Sequence, residues 1–217
     1  MLNIEKSLST NRVKTFRDYV VAKIGTDNLA TAMELYAWNA SVSSALLLPL
    51  HIYEVTLRNA VAEAISLRYG ANWPHESYFV NSLPNPPKNS PKRDILNVRS
   101  RFPTVGKMIP ELKFSFWEGM LTSRHDSRIW NNHIKTVFPL APAAMSPQDI
   151  RIQLHDNCNS IRNIRNRIAH HEHIFKSADL ANTLPFIEEG LSWRCHDTNA
   201  WLKSLEQVSI TLSQRPL

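Results

Sequence analysis

Between Ser146 and His170 the chain spells out a helix with its start and its buried face both marked. Ser146-Pro147-Gln148-Asp149 supplies a capping hydroxyl, a proline at the first helical position and an acid at the third. At 100° per residue, Ile150, Leu154, Ile161, Ile164 and Ile168 then fall on one face, which must be buried against other elements. Strands are poor partners here, because only five glycines occur in 217 residues and tight hairpin turns depend on them. The fold class this predicts is all-α.

The same reading extends along the chain. Residues 11–24 form an amphipathic stretch that Gly25 ends, and Asp27 is placed to cap a second helix. In that helix Leu35, Trp38, Val42 and Leu46 make one stripe, and Pro49 is expected to kink or restart it. A third helix runs over 51–69 and stops at Gly70. Residues 71–91 hold five prolines and read as an irregular surface insertion, ordered around Trp73 and Tyr78-Phe79. Further helices are expected near 92–101, 116–124, 126–136, 180–194 and 198–213. Neither side of the proline-rich segment carries enough helices for its own core, so residues 1–217 are expected to form one domain.

Composition narrows the setting. Hydrophobic residues make up 43% of the chain, which is globular rather than disordered. Two cysteines, Cys158 and Cys195, make no disulfide framework and fit a reducing cytoplasm. The charged N-terminus reads as no signal peptide, and the longest apolar run, SALLLPLHIY, is too short to span a bilayer. The expectation is a cytoplasmic protein with no membrane partner. A net charge of +6 favours a polyanionic partner, most simply nucleic acid.

The face of the 147–169 helix opposite the isoleucines carries Asn159, Asn163, Asn166 and His170. A merely solvated face collects Lys, Glu and Gln; asparagine competes with the helix for backbone hydrogen bonds. The row therefore sacrifices helix propensity for amide and imidazole groups aimed one way, with Arg162 beside it and Arg165 nearer the core boundary. Two structural uses compete: bonding to a neighbouring helix, or a histidine-rich end favoured by the helix dipole. His170, His171, Glu172 and His173 are metal ligands by type, but adjacent helical residues point about 100° apart and the set lacks three- or four-residue spacing. No metal and no cofactor are expected.

A second anomaly lies upstream. Leu47, Leu50, Leu57, Val61 and Ile65 make an apolar stripe, and Glu54 and Arg58 fall within it at pairing distance along a helix. Charges on a core-facing stripe are costly. Either they form a buried bridge, or Arg58 lines a pocket shared with the Asn/His face and Glu54 orients it.

Arg165-Asn166-Arg167-Ile168-Ala169-His170 fits R-N-x-x-x-H, the pattern of HEPN-type ribonucleases. More of the chain resembles the Abi-like, or abortive infection, branch: LYAWN at 35–39, EVTLRNAV at 54–61, ELKFSFWEGML at 111–121 and RNRIAHHEHIF at 165–175. The blocks keep that family's order over most of the chain. Ser115 stands where glycine is common, and His173 stands where proline is expected. The resemblance implies a HEPN-like helical bundle with additional helices, and metal-independent cleavage of RNA by a toxin or phage-defence effector.

In such a reaction the 2′-hydroxyl loses a proton as it attacks phosphorus and the 5′-oxygen gains one as it leaves. Imidazole, titrating near about 6.5, can serve either step. A fixed guanidinium can stabilise the charge that develops on the phosphate. The candidate catalytic residues are therefore His170 as acid/base, Arg165 on the phosphate and Asn166 positioning either. Glu54, Arg58, Asn163, His171 and Glu172 are expected to line the site. One imidazole serves both steps poorly, so the resemblance implies a homodimer with the motif helices at its twofold axis, and RNA and an antitoxin protein as further partners. The competing class is a HEPN-like module that binds RNA or protein without cutting.

Overall fold

The computed structural model describes residues 2–217, all helix, turn and loop, with no strand among the described residues. At its centre is α3 (Leu29–Tyr69), against which α2 (Thr10–Ile24) packs on one side after the short α1 (Leu2–Leu8). Four short helices follow: α4 (Ser77–Ser82), α5 (Pro91–Arg101), α6 (Val105–Met108) and α7 (Phe114–Met120). A 3₁₀ turn and a π-helical turn over 123–130 lead into α8 (Asn131–Val137). The motif helix is α9 (Pro147–Ala169), followed by α10 (Leu180–Arg194), α11 (His196–Leu205) and α12 (Val208–Ser213). Helices α7, α8, α9, α10 and α12 all contact α3, and α9 lies between α7, α8 and α10.

Helix α3 runs unbroken through Pro49, where a kink or restart was expected. Proline removes one backbone donor from the helix interior. Here Pro49 is buried between Leu46 and Leu50, and packing along both flanks holds the helix together. By length and composition α3 could cross a membrane; its residues Leu35, Val42, Leu46, Leu57, Val61 and Ile65 are buried against its neighbours. Its cap is Asn28, whose side chain accepts from the Thr31 amide; Asp27 instead pairs with Arg17. Close approach of α10 to α3 depends on Gly190, where a Cβ would lie 2.8 Å from the Tyr53 ring.

The α9 start is as expected: Ser146 and Asp149 form a reciprocal capping box. Ile150, Leu154, Ile161, Ile164 and Ile168 are all buried. The proline-rich insertion is more built than expected. It carries a 3₁₀ turn and α4, and Trp73 and Phe79 are fully buried in edge-to-face contact while Tyr78 stays exposed. The final stretch is two helices rather than one, broken at Glu206-Gln207.

Candidate functional site

Helix α3 presents His51, Glu54 and Arg58 to a cavity of about 360 Å³ whose opposite wall is Arg165, Ile168 and Ala169 of α9. Arg165 Nε donates to Glu54 Oε1 at 3.0 Å, joining two residues 111 positions apart. Glu54 therefore pairs with Arg165 and not with Arg58, which overturns the reading of a Glu54–Arg58 bridge, while Arg58 does line a hollow shared with α9. The geometry explains why: both ends of the cross-helix pair remain part-exposed, which avoids the desolvation of a bridge facing the core. Arg58 is left with its Nε buried and no hydrogen-bond partner among the described residues. The stripe also differs at Leu47, which is 56% exposed, whereas Leu50, Leu57, Val61 and Ile65 are buried.

Arg165 forms part of a second cavity as well, about 370 Å³, with Lys113, Ser115, Arg162 and Asn166 around it and Asn89 at its far side. Arg162 is held from behind by Glu118, Nε to Oε2 3.0 Å, and donates to Asn159 Oδ1 at 2.9 Å. Burial pushes the Glu118 carboxyl up, and the Arg162 charge opposes that shift. Arg165 thus sits at the junction of two hollows lined by four cations: Arg58, Lys113, Arg162 and itself. A guanidinium anchored by one carboxylate and open on its other edge suits a phosphate.

The turn after α9 is tied down by residues distant in sequence. Asn39, 8% exposed, accepts from the amides of both Ile174 and Phe175 at 2.8 and 3.1 Å. Arg12 donates to the His171 carbonyl and, at 3.1 Å, to the Tyr36 hydroxyl. Arg167 donates to the His173 carbonyl at 2.9 Å and lies 3.5 Å from Glu172. These bonds hold His171 at φ 54°, a left-handed conformation uncommon for a side chain that is not glycine. His173 packs beside Phe16 and Phe175, and burial pushes its pKa down. The turn also borders a further hollow of about 800 Å³, with Arg12, Tyr36, His171, Glu172 and His173 on its walls.

His170 closes α9 and is exposed, one residue beyond the Ala169 that lines the Arg165 cavity. Within one chain, then, Arg165, Asn166, Glu54 and Arg58 come together, His170 lies at the rim, and His171 and Glu172 face the neighbouring hollow. Asn163 is exposed and lines none of these cavities. Among the described residues no three His, Cys, Asp or Glu side chains gather as metal ligands would. Sequence reasoning missed His51, Lys113, Asn89 and the bracing roles of Asn39 and Glu118. His51 was hidden in an apolar run, and the other four act across long sequence separations. The chain matches no family model, and no curated protein or solved structure matches it.

Proposed function

We propose that the protein is a cytoplasmic, metal-independent endoribonuclease of the HEPN type, acting as a toxin or abortive-infection effector. The observation that carries this reading is Arg165: it is oriented by Glu54 at 3.0 Å and placed where two cation-lined hollows meet. A positive groove of this kind draws in a phosphodiester backbone, and the open edge of Arg165 can bind the phosphate as charge builds on it. Asn166, whose Oδ1 lies 3.5 Å from Arg165 Nη1, steadies the same group. His170 transfers the proton from its place at the rim. A second copy, docked through the apolar edge made by exposed Leu47 and Leu48 beside Ala169, would bring a second His170 to a shared cleft. Acid and base are then separate imidazoles, as two opposite proton transfers require. Unpaired RNA is the fitting substrate, because in-line attack needs a backbone that a regular duplex does not allow.

One observation favours a second reading, a module that binds RNA or a partner such as an antitoxin without cutting it: in a single chain His170 lines neither of the Arg165 hollows. Labelled RNA incubated in EDTA with wild type, His170→Ala and Arg165→Ala separates the two. Cleavage by wild type alone, leaving 2′,3′-cyclic phosphate ends, supports the enzyme. Equal binding by all three with no cleavage supports the module.

A further inference from the structure

The hollow beside Arg165 shares Asn89 and Ser115 with another cavity of about 500 Å³ that the catalytic reading does not use. One wall is apolar, built from Pro84, Pro86, Pro91, Phe116 and Met120. Its proline side is braced: Arg93 donates to the carbonyls of Pro86 and Pro87 at 2.8 and 2.6 Å, and Ser90 donates to Asn85 at 2.7 Å. Asn89, which lines both hollows, holds φ 50°. A pocket with a fixed flat apolar wall beside a phosphate groove has the form of a nucleobase site.

The polar groups indicate which base. Asp94 lines this cavity with its side chain only 18% exposed, and its carboxylate receives no hydrogen bond among the described residues. Its ion-pair partner is Lys113 of the adjoining hollow, at 3.6 Å, too far for a hydrogen bond and 69% exposed, and Arg124 is the cationic side chain in the lining of the cavity itself. A carboxylate can accept two parallel donors side by side, and an ammonium donates to a carbonyl. Guanine presents that complement: N1–H and N2–H for the carboxylate, with O6 adjacent for the ammonium. Adenine and cytosine each set a ring acceptor beside a single amino donor, and uracil flanks its one N–H with two carbonyls. All three place an acceptor against the carboxylate. His125 forms part of the lining; it is 2% exposed and is pushed down to about 4, by burial first and by Arg128 and Arg124 next. It therefore adds a neutral donor–acceptor ring and no charge near neutral pH.

We infer that this cavity is a guanine subsite, in which Asp94 reads the Watson–Crick edge of a base flanking the phosphate held at Arg165, with Lys113 reaching it from the adjoining hollow. The inference rests on the RNA-cleaving reading for its biological use, but the pocket can be tested alone. Calorimetric titration of the whole protein with guanosine, inosine, adenosine and cytidine 5′-monophosphates should rank guanosine first. Inosine, lacking the 2-amino group, should fall between guanosine and the others. Asp94→Asn, nearly isosteric, should lower the preference for guanosine over adenosine by roughly tenfold or more. Lys113→Ala should weaken guanosine binding less. Equal binding of guanosine and adenosine nucleotides, no binding of either, or an unchanged preference in a folded Asp94→Asn would overturn the inference. Mapping of cut sites separates the two ideas. Cleavage with no base preference removes the guanine subsite and leaves the nuclease; selective guanosine binding with no cleavage of any RNA leaves the subsite and removes the nuclease.

Discussion

The two halves of α9 use similar polar residues to different ends. In the first half the polar groups are spent inside the protein. Arg151 makes a double hydrogen bond to Asp126 at 3.0 and 3.2 Å, and Asn157 and Gln153 both donate to Glu189 at 2.5 and 3.3 Å. In the second half Arg162 and Arg165 each meet one carboxylate and still line a hollow, while Asn163 and His170 stay exposed. Polar groups with satisfied partners on a neighbouring helix specify packing; polar groups left with free valence on one side are available to a ligand. The polar groups of this helix are satisfied within the protein where it begins and keep free valence where it ends.

The largest expected effect tests the first half. Arg151→Ala leaves Asp126 largely buried without its partner and should cost about 3–5 kcal/mol in urea unfolding. RNA cleavage per folded molecule should be unchanged. Lost cleavage at full stability would mean that the two halves of the helix are not divided as described.

Next comes pH. The folded His125 titrates near 4 against 6.5 for the free side chain. Between those values the unfolded chain binds a proton that the folded chain does not, so stability falls as pH drops from 6.5 toward 4. The loss should total about 3 kcal/mol. A His125→Asn variant compared with wild type at pH 7 and at pH 4 should lack that component, and parallel losses in the two proteins would show that His125 is not the cause.

Smaller effects probe the second half. Glu54→Gln keeps the shape but releases the ion pair that aims Arg165; the expected result is about a tenfold loss in cleavage with under about 1 kcal/mol change in stability. The reverse pattern would make the pair a structural bridge. Smallest of all, Asn163→Ala should change cleavage little and stability by about 0.5 kcal/mol, with the sign favouring alanine because its helix propensity is higher. A large loss of activity there would extend the site along the asparagine row.

Much of the helical plan was legible in the sequence, because caps and period are local. The Ser146 box, the isoleucine face and the Gly25 and Gly70 stops all depend on neighbours within a few residues. Pro49 and the choice of Asn28 over Asp27 were not legible, since burial and a partner on another helix decide them. The same distinction runs through the site. Arg165, Asn166 and His170 stand out as a run, and Glu54 and Arg58 stand out as charges in an apolar stripe. Their pairing could not be read, because the sequence offers Glu54 only the i, i+4 spacing to Arg58, and only the fold brings Arg165 within 3.0 Å. Asn39 shows the same limit. LYAWN reads as helix, and nothing local reveals that its amide caps a turn more than 130 residues later.

The central claim is that the end of α9 performs chemistry on RNA, and single-turnover cleavage of a labelled unpaired RNA in EDTA tests it most directly. Wild type should cut and leave 2′,3′-cyclic phosphate ends. His170→Ala and Arg165→Ala should each fall by about a hundredfold or more while keeping the wild-type unfolding midpoint. Wild type that binds the RNA without cutting it, or His170→Ala that cuts at the wild-type rate, would contradict the account.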